Sequence, residues 1–256
     1  MRSEPYLADG SRSGVLLLHG FTGSPASILP WAEFLAEAGY SVSAPRLPGH
    51  GTKWQEMNQT TWQDWYGEAE RALMELAGRT DRIFIAGFSM GGALSVRLTE
   101  RHPELVTGLI LLNPALLDPH SLIRRASLLR YFKNSLKPTA SDIAKPNPPI
   151  HGYAETPLKA LYSFSLLLAD IKPRLPRIET PILLFRSVQD HVVPAASSEL
   201  ILHEARSSDK NLVLLENSYH VATLDHDAQI IHQQSLSFIQ RLEQFEIARQ
   251  LDDSNE

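Results

Sequence analysis

Cysteine is absent from this 256-residue chain. Its absence excludes disulfide bonds, thiolate metal sites and a cysteine nucleophile. Long apolar runs are absent as well: the longest, "VLLLHGF" and "LILLNPALL", fall well short of the roughly 18 residues that a membrane-spanning helix requires. We therefore expect no stable membrane insertion.

An excess of positive charge is also missing. The chain has 24 basic and 29 acidic residues, which gives a formal net charge of -5. This balance does not favour binding to nucleic acid or to an anionic membrane surface. The N-terminal "MRSEPYLADGSRSG" is polar and has no apolar stretch typical of a secretion signal, so we expect a cytoplasmic protein.

Short apolar runs alternate with longer helical patterns along the chain. The runs are leucine-rich or β-branched with little alternation of polarity, which is typical of strands buried on both faces of a parallel sheet. They occupy residues 15–20, 40–45, 82–88, 106–113, 181–187 and 211–217. The main helical patterns occupy residues 24–39, 62–78, 90–102 and 225–245. This order predicts an α/β fold with a mostly parallel central sheet flanked by helices.

One stretch interrupts the alternation. Residues 118–178 separate two predicted strands by about sixty positions, far more than an ordinary connection needs. The stretch has two leucine-rich helical patterns, and the proline-rich residues 137–157 between them predict no regular structure. We interpret 118–178 as a small helical cap inserted into a core of residues 1–117 and 179–256. A helical layer with no role at a site is the alternative.

Ser89 is the candidate nucleophile. It lies in "GFSMGG" (87–92), which has the pattern Gly-x-Ser-x-Gly between a predicted strand and a predicted helix. A serine at such a sharp turn needs a strained backbone and neighbours without bulky side chains. The helix that follows points its free N–H groups at the same place. A glycine-rich turn with an incidental serine is the alternative reading.

A serine hydroxyl requires a base, and His220 is the best placed of ten histidines. It follows the last predicted strand, at the sheet edge where catalytic groups of α/β proteins gather. His226 and His232 belong to the last helical pattern and are expected at the surface. His19 ends the first strong strand and is either a supporting group or a core histidine. A structural role is expected for His50.

The base in turn needs a carboxylate that holds its tautomer. Asp190 directly follows a predicted strand and precedes His220 by thirty residues, which gives the chain order Ser, Asp, His. Asp118 also follows a strand and is the rival acid. Asp225 and Asp227 are expected at the start of the last helix, where carboxylates cap free amides.

The oxyanion formed in acyl transfer needs preorganised N–H donors. The backbone N–H of Met90, directly after the candidate nucleophile, is one expected donor. The loop "HGFTGSP" (19–25) after the first strong strand supplies the second, which we expect to be the N–H of Phe21. Gly20 and Gly23 allow this loop to lie close to a substrate. Taken alone, the loop could equally be a plain turn.

Together these segments resemble the α/β-hydrolase superfamily. "HGFTGSP", "LPGHG", "GFSMGG", "QDHVVP" and "HVATLD" occur in that superfamily's order and cover nearly the whole chain. More narrowly, the chain is similar to small bacterial carboxylesterases and monoacylglycerol lipases. The resemblance implies a triad of Ser89, Asp190 and His220 with oxyanion donors at Phe21 and Met90. Tyr219 departs from the glycine common before the histidine, which puts the shape of the pocket wall in doubt.

The resemblance also implies an activity. We expect a serine carboxylesterase of lipid metabolism that hydrolyses short- to medium-chain esters, including monoacylglycerols, through an acyl-enzyme. It would need no cofactor and no metal, bind a small-molecule ester, and exist as a monomer or small homo-oligomer. A thioesterase or a C–C bond hydrolase with the same triad is the alternative enzyme. A non-catalytic binding protein of the same fold is the alternative outside enzymes.

Overall fold

The computed structural model describes residues 3–117, 122–137, 142–148 and 152–253. Its strands are β1 (Tyr6–Ala8), β2 (Ser13–Leu18), β3 (Ser41–Ala44), β4 (Arg82–Phe88), β5 (Val106–Leu112), β6 (Ser135–Leu136), β7 (Thr156–Pro157), β8 (Ile182–Ser187) and β9 (Lys210–Leu215). Its α-helices are α1 (Leu29–Glu37), α2 (Trp54–Met57), α3 (Trp62–Ala77), α4 (Met90–Arg101), α5 (Leu122–Leu129), α6 (Leu158–Ile171), α7 (Ala195–Glu204) and α8 (Ala228–Asp253). Short 3₁₀ helices lie at Pro25–Ser27, Lys172–Arg177 and Ala222–Leu224.

The central sheet has the strand order β1-β3-β2-β4-β5-β8-β9 within the described residues. All neighbours are parallel except β1, which runs antiparallel to β3 at the edge. The six predicted strands agree with the observed ones to within two residues at each end. The sequence did not reveal β1, because three residues are too few to show a period. The parallel pairing brings the carboxyl ends of β2, β4, β5, β8 and β9 to one edge.

Each predicted strand contributes side chains to both faces of the sheet. In β2, Leu16 and Leu18 join the core beneath α3, α4 and α6, while Val15 and Leu17 join the core beneath α1 and α8. All four side chains are fully buried, and burying a leucine or valine stabilises the fold by about 1.5–3 kcal/mol. Burial on both faces explains the lack of polar alternation in β2. The expectation of such burial was wrong for residues 211–217, because β9 lies at the edge of the sheet and leaves Leu212 and Leu214 exposed. The α/β fold class predicted from the sequence is confirmed.

The observed helix ends follow from local sequence signals. At the start of α3, the side chain of Asp64 accepts a hydrogen bond from the N–H of Thr61 at 2.7 Å, as part of a capping box. Helix α1 ends before Gly39, which has a φ of 95°, a backbone conformation that residues with a side chain rarely adopt. Trp65 on α3 is fully buried against the sheet. No helix in the described ranges has both the length and the apolar character to cross a bilayer.

Between β5 and β8, the described residues form α5, β6, β7 and α6, followed by the 3₁₀ helix Lys172–Arg177. Thr156–Pro157 forms a two-residue strand, so the expectation of no regular structure in 137–157 is corrected at its last two residues. The start of α6 is held against the core by side chains that accept backbone N–H groups in both directions. The side chain of Asn58 accepts the N–H of Lys159 at 2.8 Å, and the hydroxyl of Ser163 accepts the N–H of Trp62 at 2.8 Å. These bonds fix the start of α6 beside the start of α3.

Candidate active site

Ser89 lies at the sharp turn between β4 and α4. Its backbone has φ 55° and ψ −117°, a conformation that non-glycine residues rarely adopt and that costs of the order of 1–3 kcal/mol. Strand β5 and the segment after it hold the strained backbone: the N–H of Ser89 donates to the carbonyl of Leu112 at 3.0 Å, and its carbonyl accepts the N–H of Ala115 at 3.1 Å. The sequence prediction of a strained serine at a strand-to-helix turn is therefore met.

The glycines around Ser89 are required by close backbone contacts. A Cβ on Gly87 would lie 2.5 Å from the carbonyl oxygen of Gly91, and a Cβ on Gly91 would lie 2.5 Å from the carbonyl carbon of Leu18. A Cβ on Gly92 would lie 2.9 Å from the Cβ of Pro114. Real Cβ atoms do not approach so closely, so only glycine lets α4 begin this near to β2 and β4.

His220 brings Ser89 and Asp190 together. Its Nε2 lies 3.0 Å from the hydroxyl oxygen of Ser89, and its Nδ1 lies 2.7 Å from Oδ2 of Asp190. These residues are 131 and 30 positions from His220 in sequence. The side chains of His220 and Asp190 are only 8% and 6% exposed, so water hardly competes for these hydrogen bonds.

The second carboxylate oxygen of Asp190 fixes its own loop, which we call the acid loop (residues 188–194). Oδ1 accepts the N–H groups of Val192 and Val193, each at 2.8 Å. These bonds fix the orientation of the carboxylate and leave Oδ2 aimed at His220. Asp118, the rival acid in the sequence, lies outside the described residues.

Asn113 braces the loop that contains His220, which we call the histidine loop (residues 216–227). Its Nδ2 donates to the carbonyl of His220 at 2.8 Å and to the hydroxyl of Ser187 at 2.9 Å, while its Oδ1 accepts the N–H of Ser187 at 2.8 Å. The Ser187 hydroxyl donates to the carbonyl of Tyr219 at 2.8 Å. Sequence reasoning missed Asn113, although a polar residue directly after β5 was a usable signal.

Asp225 and Asp227 also hold the histidine loop, which corrects the expectation that their carboxylates cap the last helix. The carboxylate of Asp225 accepts N–H groups from Tyr219 at 3.0 Å and from His226 at 2.9 Å, and that of Asp227 accepts the N–H of Asn217 at 2.8 Å. Both lie just before α8, as the sequence indicated, but their hydrogen bonds run back toward His220.

Two histidines near the site are structural. His19 is fully buried, with Nδ1 at 3.0 Å from the carbonyl of Gly20 and Nε2 accepting the N–H of Leu47 at 3.3 Å. Burial lowers the pKa of His19 to about 4. His50 packs its ring 5.0 Å from that of His19, and burial lowers its pKa well below the usual value. Both rings are therefore neutral near pH 7, in agreement with the structural role expected of His50.

Two other histidines lie on the last helical pattern and differ in their exposure to solvent. His226 is exposed, as expected. The expectation for His232 was wrong: it is 4% exposed and stacks on Phe34 with ring centroids 5.1 Å apart. Burial lowers the pKa of His232 to about 4. The sequence could not show this, because the face of α8 that meets α1 depends on how the two helices pack.

The two expected oxyanion donors lie on backbone next to Ser89. The N–H of Met90 is at the first position of α4, where no helical acceptor exists. The loop containing Phe21 passes close by, since a Cβ on Gly20 would stand 3.2 Å from that of Ser89. Within the described ranges, neither N–H donates to a protein acceptor.

Aromatic packing continues from Phe21 into the inserted stretch. The ring of Phe21 stacks on that of Phe164 from α6 at 5.6 Å and meets Trp65 edge-on at 6.0 Å. Tyr219, the departure noted in the sequence, packs edge-on against His191 at 4.7 Å. The aromatic packing around Phe21 thus includes a residue from the stretch between β5 and β8.

The sheet order, the strained serine between β4 and α4, and the Ser89–His220–Asp190 contacts define the α/β-hydrolase class. A family model described as serine aminopeptidase, S33, matches residues 9–227. The chain belongs to this family.

Known relatives agree with this class. The chain is 41% identical to a thermostable monoacylglycerol lipase from Bacillus sp. (strain H-257) over 239 residues, covering 92% of this chain and 94% of the relative. It is 27% identical to a carboxylesterase from Bacillus subtilis (strain 168), covering 94% and 97% of the two chains. A solved structure from work on LipS and LipT, two metagenome-derived lipolytic enzymes, superposes with a TM-score of 0.91 at 40% identity, covering 93% and 98%.

Proposed function

We propose that the chain is a serine carboxylesterase that hydrolyses short- to medium-chain esters, including monoacylglycerols, through a triad of Ser89, His220 and Asp190. The contact of 3.0 Å between Nε2 of His220 and the hydroxyl of Ser89 is the observation that carries the proposal. Support also comes from the relatives, which are named as a monoacylglycerol lipase and a carboxylesterase.

The mechanism follows from these contacts. Nε2 of His220 removes the proton of Ser89 as its oxygen attacks the ester carbonyl. Asp190 stabilises the resulting imidazolium through Nδ1. The N–H groups of Phe21 and Met90 hold the oxyanion, and losing one such donor typically costs about 2.7–4 kcal/mol. His220 then protonates the departing alcohol, and water, activated by the same imidazole, releases the acid.

We further propose that residues 118–178 form the cap that shapes the acyl pocket, over a core of residues 1–117 and 179–256. The stacking of Phe164 on Phe21 supports this, because the N–H of Phe21 is one of the proposed oxyanion donors. An apolar wall at this position favours an acyl chain over a charged group. A large aromatic wall also favours short to medium chains.

The test is to replace Ser89 with alanine. We expect turnover of p-nitrophenyl esters to fall by about six orders of magnitude, as for other triad serines. The matched control is Ser208→Ala, an exposed serine whose replacement should leave turnover unchanged. Retained activity in Ser89→Ala would overturn the assignment.

Substrate profiling separates the remaining chemistries. p-Nitrophenyl esters from acetyl to palmitoyl, a monoacylglycerol, an acyl thioester and an amino-acid p-nitroanilide should be compared at equal enzyme concentration. We expect the short and medium esters to give the highest kcat/KM. A preference for the thioester or the anilide would replace the ester assignment. A Ser89 that a fluorophosphonate does not label, together with no turnover of any substrate, would indicate a binding protein.

We also propose that the protein is cytoplasmic and that it is a monomer or small homo-oligomer. The short apolar stretches and the net charge of -5 support a chain that stays out of membranes. Cell fractionation and light scattering on the purified protein test the two points separately.

A further inference from the structure

Asp142 of the insertion bonds to both loops that position the proposed base. Its carboxylate oxygen Oδ2 accepts the N–H of His191, directly after Asp190, and the N–H of His220 itself, each at 3.1 Å. One oxygen atom therefore bridges the acid loop and the histidine loop. The side chain is only 13% exposed, so these hydrogen bonds are largely shielded from water.

Two further bonds strengthen the bridge. Oδ1 of Asp142 lies 2.7 Å from Nδ1 of His191, and the carbonyl of Asp142 accepts the N–H of Val221 at 3.0 Å. Hydrogen bonds to an ionised carboxylate are about twice as strong as neutral ones. Asp142 thus holds each loop through at least two hydrogen bonds.

The histidine loop bonds back to the same segment. The buried carboxylate of Asp225 accepts the N–H groups of Ala144 at 2.7 Å and Lys145 at 3.1 Å. Between Asp142 and Ala144, the side chain of Ile143 is 7% exposed and belongs to the same apolar core as Val221. Residues 142–145 are consequently docked on the histidine loop by polar contacts in both directions and by an apolar contact.

Resting on the triad proposed above, we infer that Asp142 is a positioning residue for catalysis, through which the insertion sets the distance between Asp190 and His220. These two residues lie on separate loops, so their 2.7 Å contact depends on how the loops are held together. An error of about 1 Å in such a geometry costs about 10²-fold in rate. The negative charge beside the His220 backbone also favours the imidazolium formed during the reaction.

The experiment compares Asp142→Ala, Asp142→Asn and His191→Gln, with Asp9→Asn as the control for losing one negative charge at an exposed site. For Asp142→Ala we expect kcat on p-nitrophenyl butyrate to fall about 10²-fold and the rate of fluorophosphonate labelling of Ser89 to fall in parallel, with KM little changed. Asp142→Asn keeps an acceptor oxygen without the charge, so its kcat should lie between those of Asp142→Ala and the parent. His191→Gln removes the side-chain contact with Oδ1 and the ring packing on Tyr219 but keeps the backbone N–H bond, so its kcat should fall less than tenfold.

The pH profile of kcat/KM separates positioning from a purely structural brace. Among the described residues, the charged or titratable groups bonded to the histidine loop or to His220 include Asp142, Asp190, Asp225 and Asp227, and His191 packs against Tyr219. Removing the Asp142 charge should lower the apparent pKa of the acidic limb in both Asp142 variants, and the Asp9→Asn profile should match the parent. Unfolding midpoints in urea show whether each variant is folded at the assay temperature.

Three outcomes would overturn the inference. One is a folded Asp142→Asn with parent kcat and a parent acidic limb. Another is an Asp142→Ala whose activity loss equals its unfolded fraction while Asp142→Asn behaves like the parent. The third is a change in KM alone. An inactive Ser89→Ala beside an unaffected Asp142 series would reject this inference and leave the proposed function standing, whereas an active Ser89→Ala would reject the function itself.

Discussion

Gly91 on α4 lies against the carbonyl group of Leu18 at the end of β2. A Cβ added to Gly91 would stand 2.5 Å from the carbonyl carbon of Leu18 and closer still to its oxygen. Because both are backbone atoms, neither can rotate away. The first turn of the helix that carries the N–H of Met90 is therefore set by contact with the neighbouring strand.

Gly91→Ala should consequently displace the start of α4. We expect a loss of stability of about 1–3 kcal/mol from overpacking, together with a large loss of activity because Ser89 and Met90 move. Gly67→Ala is the matched control: Gly67 lies within α3, and a Cβ added there would have no neighbouring atom within 4 Å, so alanine should stabilise by about 0.5–1 kcal/mol. Urea unfolding and ester turnover measure both effects, and a Gly91→Ala as stable as the parent would contradict the packing argument.

Asp190→Asn should leave the fold intact and remove most of the turnover. An asparagine at this position can present its amide N–H₂ to Nδ1 and so favour the wrong tautomer of His220. Such a change lowers kcat by about 10⁴-fold in a serine triad. The kcat of Asp190→Asn on p-nitrophenyl butyrate is the measurement. Asp118→Asn serves as the comparison, because Asp118 was the rival acid in the sequence; loss of activity at Asp118 and survival at Asp190 would reverse the assignment.

Asn113→Ala should weaken both stability and catalysis. It removes the bonds to the His220 carbonyl and to the Ser187 N–H, and a buried group left unpaired costs about 1–3 kcal/mol. We expect kcat to fall about tenfold to a hundredfold. The φ of Asn113 is 43°, which also strains alanine, so exposed Asn147, with φ 52°, provides Asn147→Ala as the control for that strain. Equal effects of the two changes would show that the bonds to the histidine loop contribute nothing.

Stability should fall as the pH drops from 6.5 toward 4. His19 has a pKa of about 4 in the fold and about 6.5 when unfolded, so only the unfolded chain takes up its proton in this range. Its contribution is fully present above pH 6.5 and is lost toward pH 4, which amounts to about 3 kcal/mol. His232 and His50, with pKa values lowered by burial, act in the same direction.

Urea unfolding at pH 7.5, 5.5 and 4.5 measures this dependence. His232→Gln should flatten the pH dependence because one buried ionisable group is removed. His226→Gln, at an exposed position on the same stretch, should leave it unchanged. Identical pH dependence in the two variants would show that His232 is not protonated preferentially in the unfolded chain.

The parts of the structure that the sequence predicted are those that depend on neighbours in the chain. The run at 82–88 became β4, "GFSMGG" became the strained turn at Ser89, and 90–102 became α4 to within one residue. Strand β1 was not predicted because its three residues are too few to show a period. His232 was misplaced because its burial is decided by contact with Phe34 on α1.

Sequence alone determined the α/β alternation, the turn at Ser89, and the selection of His220 and Asp190, because apolar runs, glycine spacing and the position of a residue after a strand are local properties. Only the tertiary structure decided which groups hold His220 in place. Asn113, directly after β5, bonds to His220 from 107 positions away, and Asp142 of the insertion does so from 78 positions away. Asp225 bonds to the neighbouring Tyr219 from within the histidine loop itself. The sequence does not record such distances, since hydrogen bonds between remote segments exist only after the sheet and the insertion have packed.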